Sequence, residues 1–598
     1  MDEPWAGLAA PDRLRVLLAP IDGDASGDVL RLIARALEGQ AGFDLRQGST
    51  RLPMRTAVMT PEAEALLTES GADLVIWGQL AEGGAAVMLR FAAGHASFDL
   101  TGHAWRFGRE EAQAGDRAEF AAQLRALAVS IATPGLLRRN SLAATLLPPV
   151  LPVLRALASA PARGREVGSI TVLLWITGVT LTVAGDAMRD KALNQEAVDV
   201  LRLAIDEVSR TGAPETWGAL MNHLGNALRR LAQAGDATAL NAAIDAYRLA
   251  LSVRTRESAP HAWAATRASL GRALDLLGES GDDQALREAV DAFRDALAIR
   301  TRDRSEIDWA TTQIDLSRTL LLLAAMGDDL LWDDALETAR AARSVLPRMR
   351  APLLWAMASL AEGNVLSLIA TPDAYRDAVA AYRGALEELT AESEPLEWAA
   401  AQYSLAQALR ALARQGDADA LADAVAAHRS ALLGYTREHT PSDWALTQEQ
   451  LGDTLAEQGR RGEVNALRAA AAAYREALAV LTREQSIDEW LALQEKLGDV
   501  LHLIGTHGDS EALVGAATAY REMLQAYEPD GLGWAMIQYT LGTVLLTLGH
   551  HGDLEALRNA IDTFERAVSV FVRDPEEDES VARTERKLAE ARQLIRRH

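Results

Sequence analysis

The sequence predicts a mainly α-helical chain, an α-solenoid of stacked helix pairs preceded by a small α/β domain. Three observations predict this fold class. The chain has 598 residues, which is about four times the length of an ordinary domain. Alanine and leucine are abundant while aromatic residues make up only 5%, and both residue types lose little conformational freedom in a helix. Tryptophan recurs at a nearly constant interval, which is typical of stacked repeats.

The tryptophan interval defines the length of the repeat. Successive spacings are 46 residues, apart from one of 43 and one of 44. A period of this size, held over most of the chain, predicts about nine helix pairs between residues 169 and 578. The recurring residues are Trp217, Trp263, Trp309, Trp355, Trp398, Trp444, Trp490 and Trp534. We expect these side chains to lie in the core between helices, because stacking of bases or glycans on them is the rarer use of such spacing.

Other residues keep the same register as the tryptophans. In the second full repeat, Gly271 follows the tryptophan by eight residues, Gly281-Asp282 by eighteen, and Phe293 by thirty. A glycine inside the first helix predicts close approach of a neighbouring helix. The glycine–acid step predicts a left-handed end to that helix, followed by an acid that caps the next one.

This pattern resembles the tetratricopeptide family. The resemblance is carried by the Leu270-Gly271 step in the first helix and by Ala289, Phe293 and Ala296 in the second. The family's repeat has 34 residues, whereas the Gly-Asp insertion lengthens this one to about 46. The resemblance implies protein–protein interaction through a groove lined by the first helix of each pair.

Carried over to this chain, the family's groove positions lie two, five, nine and twelve residues after each tryptophan. They are polar or basic in the early repeats and acidic in the later ones, a gradient able to orient a bound peptide. The alternative is an ordinary solvated face whose charges are accidental. The predicted groove residues are Asn222, Asn226, Arg229, Arg272, Arg318, Asn364, Gln407, Arg410, Glu449, Asp453, Glu495 and Asp499.

The ends of the repeat region are less regular. Residues 169–185 form an apolar stretch, but threonines and glycines interrupt it and it falls short of the roughly 20 residues of a spanning helix. Gly178 and Gly185 align with Gly271 and Gly278, which favours the first helix of a degenerate repeat over a membrane span. Residues 579–598 are predicted to form a charged capping helix.

The amino-terminal part alternates strand and helix patterns. We expect a tail at 1–11, an α/β domain at 12–134 and a helical connector at 135–168. The LLAPI strand, the helix after it and the segment GADLVIWGQL with its following apolar strand resemble the amino-terminal domain of TolB-type and FlgO-type bacterial proteins. That resemblance implies a non-catalytic module for assembly or partner contact.

Composition excludes several kinds of site. The chain has no cysteine, so disulfides and thiolate chemistry are excluded. A net charge of −24 disfavours nucleic acid and anionic lipid as partners. The amino terminus lacks the basic and apolar regions of a secretory signal, which predicts a cytoplasmic location. The resemblance of the amino-terminal domain implies a bacterial protein.

Local motifs add no chemistry in this interpretation. The Asp22–Asp28 loop could cradle a phosphate, but its aspartates and the missing lysine favour a capped turn. His507 and His551, at equivalent places in neighbouring repeats, could bind a metal, but no ligand set is complete and helix ends favour histidine. We therefore expect no metal, no cofactor and no catalytic residue.

Taken together, the sequence predicts a non-catalytic scaffold or adaptor that binds another protein or peptide, which includes a second copy of the chain. The alternative is a ligand-sensing regulatory protein, in which the α/β domain binds a small molecule and the solenoid relays that event. An enzyme is the third possibility, and no nucleophile–base arrangement supports it.

Overall fold

The computed structural model places the chain in two compact units. Unit 1 comprises Met1–Ile369 and Glu387–Glu394, and unit 2 comprises Ala370–Leu386 and Pro395–His598. The residues that the structure describes are 13–38, 43–52, 61–81, 86–93, 105–108, 117–136, 140–159, 167–348, 351–392, 394–417, 419–529 and 531–597.

Unit 1 begins with a five-stranded sheet in the order β2-β1-β3-β4-β5. Strand β1 pairs in parallel with β2 and β3, and β3, β4 and β5 pair antiparallel. Strand β1 is apolar at most positions because it lies inside the sheet and both faces are covered. The elements are β1 (Leu14–Asp22), α1 (Asp28–Leu37), β2 (Phe43–Gln47), α2 (Pro61–Ser70), β3 (Leu74–Ala81), β4 (Ala86–Ala93) and β5 (Trp105–Gly108). The predicted α/β architecture is confirmed, and the TolB/FlgO-type resemblance stays a prediction.

The helices after the sheet lead into the repeats. They are α3 (Arg117–Leu136), α4 (Asn140–Leu146), α5 (Leu151–Ser159), α6 (Val167–Met188) and α7 (Lys191–Asp206). Helix α6 contains the apolar stretch, and it packs against α7 as the first helix of a pair. A Cβ at Gly178 would lie 2.5 Å from the Leu201 side chain, so this glycine allows the close approach that the alignment predicted.

Three helices in the described part of the chain are long and apolar enough to cross a membrane. They are Ile170–Met188, Pro352–Ile369 and Leu532–His550, whose apolar windows are 72%, 44% and 56% buried within the protein. The expectation that none of them spans a membrane stays a prediction.

The remaining helices of unit 1 form pairs at the predicted period. They are α8 (Pro214–Gln233) with α9 (Thr238–Leu251), α10 (Pro260–Gly278) with α11 (Asp283–Leu297), α12 (Glu306–Ala325) with α13 (Trp332–Val345), and α14 (Pro352–Ile369). A short 3₁₀ helix, Asp329–Leu331, precedes α13, in the repeat whose second-helix features are displaced in the sequence.

Unit 2 continues with α15 (Pro372–Leu386) and further pairs. They are α16 (Pro395–Arg414) with α17 (Ala420–Gly434), α18 (Pro441–Arg460) with α19 (Val464–Leu478), α20 (Ile487–Thr506) with α21 (Ser510–Leu524), and α22 (Leu532–His550) with α23 (Leu554–Phe571). The charged terminal helix is α24 (Asp578–Arg597), which packs on α23 and α22.

The recurring glycines act as predicted. A Cβ at Gly271 would lie 2.7 Å from the ring of Phe293, so the first and second helices of the pair can pack closely only without a side chain there. The corner glycine Gly281 has a φ of 98°, and Asp282 then accepts a hydrogen bond from the Ala285 amide at 3.0 Å. These three features confirm the predicted helix-pair architecture in this repeat of unit 1.

The recurring tryptophans pack against the core between helices, as Trp217 and Trp309 do, but all eight are only partly buried. An arginine seven residues earlier lies over the ring in four repeats, for example Arg348 at 4.7 Å from the centroid of Trp355. Arg348 also pairs with Glu387 and Glu388, both at 2.5 Å. A half-exposed ring beneath a guanidinium gains from cation–π attraction as well as burial, which the spacing of the tryptophans alone did not indicate.

Candidate partner-binding surface

The predicted groove residues of α8 do not lie on an open surface. Asn222 and Arg229 are both nine-tenths buried, because the neighbouring first helices pack against this face. Arg229 donates to Gln233 Oε1 at 3.1 Å, and burial, aided by nearby arginines, lowers its pKa to about 10. Asn226 accepts a hydrogen bond from the Tyr247 hydroxyl at 2.8 Å. Burial leaves Asn222 and Arg229 little surface for a partner, and their role in a groove stays a prediction.

The predicted basic residues of α10 and α12 are engaged within unit 1. Arg272 Nη1 donates to Asp315 at 3.0 Å. Arg318 pairs with Glu279 at 2.7 Å and with Asp275. Asp275 is fully buried, and this burial raises the pKa of its carboxyl group. These arginines tie one helix pair to the next, so their charge is already balanced by carboxylates.

Helix α14 presents a different surface. Asn364 is exposed, and so is Met357, which stands two residues after Trp355. In unit 1, the exposed residues at the predicted groove positions are therefore Arg318 on α12 and Asn364 on α14.

In unit 2, hydrogen bonds join α16 to α18. Gln407 donates to Gln450 Oε1 at 3.1 Å, and Arg410 donates to the same oxygen at 2.8 Å. Arg410 also pairs with Asp453 at 3.4 Å. The two predicted residues of α16 therefore bind the next repeat as well as bordering the predicted groove.

Two of the predicted acidic residues are neutralised by a lysine of α20. Lys496 Nζ donates to Glu449 at 2.6 Å and lies 3.0 Å from Asp453 Oδ1. Asp453 also accepts from the Tyr474 hydroxyl at 2.9 Å. The charge gradient predicted from the sequence is therefore weaker here than the residue types suggest.

The acidic residues of α20 remain on the surface. Glu495 and Asp499 are exposed. Asp499 accepts a hydrogen bond from the Tyr520 hydroxyl at 2.6 Å. Of the predicted acidic set, these two side chains are the most accessible to a partner.

A rule that links two positions of the repeat emerges from these contacts. In three repeats whose second helix carries tyrosine, the first helix carries an acceptor 21 residues earlier, namely Asn226 with Tyr247, Asp453 with Tyr474 and Asp499 with Tyr520. Where it carries phenylalanine, that position is Arg272 or Thr543. The spacing of these pairs is present in the sequence, but residue types alone do not tell an acceptor that binds a tyrosine from a residue that lines a groove.

His428 occupies the aromatic position of its repeat, in place of tyrosine or phenylalanine. It is fully buried, and neither ring nitrogen has a hydrogen-bond partner among the described residues. Its ring packs edge-on against Tyr403, with 5.8 Å between centroids. Burial lowers its pKa to about 3, so the side chain is neutral at physiological pH.

The histidines near the carboxyl end have separate partners. His551 lies 3.1 Å from Ser510 Oγ, His550 3.1 Å from Glu590, and His502 3.2 Å from Thr547. His507 Nδ1 lies 2.9 Å from the Leu503 carbonyl. Across the described residues, no three histidine or acidic side chains are grouped to hold a metal ion.

The loop between β1 and α1 forms a turn. Gly23 and Gly27 take left-handed backbone conformations, and Asp24 accepts from the Leu30 amide at 3.0 Å. Gly27, the N-cap of α1, has no side chain to cap the helix, so Asp24 is the side chain that satisfies an amide of its first turn.

No protein-family model and no curated protein matches the chain. Among solved structures, a Rap protein complexed with competence and sporulation factor is 14% identical, with 72% of this chain and 99% of that chain covered and a TM-score of 0.36. A monomeric mutant of IFIT1 with m7Gppp-AAAA is 13% identical, with 80% and 91% covered and a TM-score of 0.38. The P58(IPK) TPR domain is 17% identical, with 70% and 98% covered and a TM-score of 0.18.

Proposed function

We propose that this chain is a non-catalytic protein–protein interaction scaffold, which binds a partner protein or peptide on the first helices of its repeats. The observation that carries the proposal is the exposure of side chains on α18, α20 and α22. Stacking buries the apolar faces of the helix pairs, yet Leu446 and Met536 on these helices stay in water. Large exposed apolar side chains beside polar ones are typical of protein interaction sites.

The alternative, a ligand-sensing α/β domain, has less support. A crevice between β2 and helices α3 to α5, lined by Phe43, Arg125, Val129 and Val150 among others, has a volume of about 120 Å³. Sites for small molecules typically measure about 300–1,000 Å³. This crevice, formed by described residues, lies below that range and so gives the sensor no support.

Site-specific photocrosslinking in cells tests the scaffold proposal. Leu446 or Met536 is replaced by p-benzoylphenylalanine in the full chain, and Leu433 serves as the control because it is 71% exposed on the second helix α17. We expect a discrete protein adduct from Leu446 and Met536 and none from Leu433. The adduct partner is identified by mass spectrometry, and a second copy of the chain counts as a partner. Absence of adducts from both test positions would overturn the proposal.

A further inference from the structure

We infer that the partner presents a basic amphipathic segment, which binds across the solvent-facing sides of α18, α20 and α22. This inference rests on the proposed function and names the chemistry of the partner. We call this surface the α18–α22 face, and it is defined by Leu446, Glu449, Asp453, Asp488, Ala492, Glu495, Lys496, Asp499, Leu532, Met536 and Tyr539.

The α18–α22 face is continuous across three repeats of unit 2. Lys496 of α20 reaches back to Glu449 and Asp453 of α18, at 2.6 and 3.0 Å. On the other side of α20, His502 Nε2 lies 3.2 Å from Thr547 Oγ1 of α22. These contacts hold the three helices side by side, so their equivalent positions form rows.

One row of this face is apolar. Leu446, Ala492 and Met536 each stand two residues after a recurring tryptophan, and Leu532 lies one helical turn before Met536 on the same side. Leu446, Leu532 and Met536 are 44%, 40% and 59% exposed. Exposed apolar surface is unfavourable in water, and a contiguous row of it is typical of a surface that a partner covers.

The neighbouring positions are acidic. Asp488, Glu495 and Asp499 of α20 are exposed, whereas Lys496, the cation of α20 on this face, is held by the two carboxylates of α18. Arg410 of α16 also faces Asp453, and Arg583 of α24 lies 4.9 Å from the centre of the Tyr539 ring. Carboxylates therefore outnumber cations among the described side chains of the face, and those of α20 project into solvent.

An amphipathic helix with lysine or arginine beside its apolar stripe complements both rows. Its apolar side chains cover Leu446, Ala492 and Met536, while its cations approach Glu495 and Asp488. Binding of this kind combines apolar burial with charge complementarity. The net charge of −24 further favours encounter with a basic partner.

A designed peptide tests the inference without knowledge of the natural partner. The probe is a labelled helical peptide of about 18 residues, with leucine on one face and lysine on the other. One control peptide has the same composition in scrambled order, and a second has glutamate in place of lysine. Fluorescence anisotropy with the full chain measures binding.

We expect the amphipathic leucine–lysine peptide to bind at least about tenfold more tightly than either control. The double variant Asp488→Lys and Glu495→Lys should weaken this binding about tenfold, and so should Leu446→Asp with Met536→Asp. Leu433→Asp, on α17, should leave it unchanged. Raising the salt concentration from about 0.1 M to about 0.5 M should weaken binding, because exposed charges are screened.

Equal binding of the scrambled peptide, or binding that is insensitive to both double variants, would overturn the inference. The thermal unfolding of each variant, followed by circular dichroism, shows that it is folded. If a partner crosslinks at Leu446 and still binds the double variant Asp488→Lys with Glu495→Lys, the inference of a basic segment is contradicted. The proposed scaffold function would then still hold. Absence of any crosslinked partner would contradict the proposed scaffold function itself.

Discussion

The first helices of the two units share one framework and use it differently. In unit 1, the polar residues of α8 and α10 at the predicted groove positions are largely buried, as Asn222, Arg229 and Asp275 show. In unit 2, the same repeat positions on α20 carry the exposed Glu495 and Asp499. The difference teaches that a groove position of the repeat does not fix a residue's role. Packing between successive first helices decides whether that residue stabilises the stack or faces a partner.

The largest effect should come from breaking an ion pair in unit 1. In Arg318→Ala, the buried carboxylate of Asp275 loses its cation. We expect the free energy of unfolding to fall by about 3–5 kcal/mol at pH 7. The matched change on the exposed face, Glu495→Ala, should stay within about 0.5 kcal/mol. Amide hydrogen exchange measures the loss of stability in each variant, in α10 and α12 for Arg318→Ala and in α20 for Glu495→Ala. Similar losses at the two sites would contradict the division between a structural and an available face.

Acidification should reveal the buried histidine of unit 2. The folded-state pKa of His428 is lowered to about 3, whereas an unfolded histidine titrates near 6.5. As the pH falls below about 6.5, the unfolded state binds the proton first. The free energy of unfolding therefore falls by roughly 2–3 kcal/mol by pH 4.5. His428→Phe should remove this loss. Urea unfolding at pH 7 and pH 4.5 compares the two proteins, and an unchanged pH slope in the variant would refute the assignment.

The glycines inside the first helices should respond alike in the two units. A Cβ would lie 2.7 Å from the Phe293 ring at Gly271 and 2.5 Å from the Tyr474 ring at Gly452. Overpacking of this kind costs about 1–3 kcal/mol, so Gly271→Ala and Gly452→Ala should both destabilise by that amount in urea unfolding. Adding Phe293→Leu to Gly271→Ala should recover part of the loss. A large effect in only one unit would show that the shared framework differs in packing.

The smallest expected effect concerns a helix end that lacks its glycine. Ala370 follows α14 with a φ of 60°, a conformation that an alanine side chain disfavours. Ala370→Gly should therefore stabilise the protein by about 0.5–1 kcal/mol, after the entropy cost of glycine. The opposite change at a regular corner, Gly281→Ala with a φ of 98°, should destabilise by about 1 kcal/mol. Thermal unfolding gives the direction of the shift in melting temperature for each variant. A shift in the same direction for both would contradict this explanation.

The sequence predicted the framework because each feature has a local cause. The interval of Trp444, Trp490 and Trp534 set the repeat, and corner glycines such as Gly281 fixed where the first helices end. The acid after the corner then capped the next helix, as Asp282 does. These rules depend on residues close together in the chain, so the periodicity of the sequence was enough to predict the helix pairs.

The site was harder to predict because burial depends on how tightly successive pairs approach. Asn222 and Glu495 hold the same position in their repeats, yet one is buried and the other exposed. The ion pair between Lys496 and Glu449 joins residues 47 positions apart, and residue types alone do not choose between such a pair and a free charge. The sequence therefore indicated which face to inspect, and the contacts between repeats decided which of its residues are available.

The empty space beside the corner glycines offers positions for labels that report the distance between neighbouring repeats. A Cβ at Gly462 or Gly508 would meet no atom within 4 Å, and the protein has no cysteine of its own. A pair of cysteines introduced at these two corners therefore carries fluorophores on neighbouring repeats without disturbing the packed helix faces, at the modest cost of a left-handed backbone. Energy transfer between them reads out, in solution, whether α18 and α20 move apart when something binds across them.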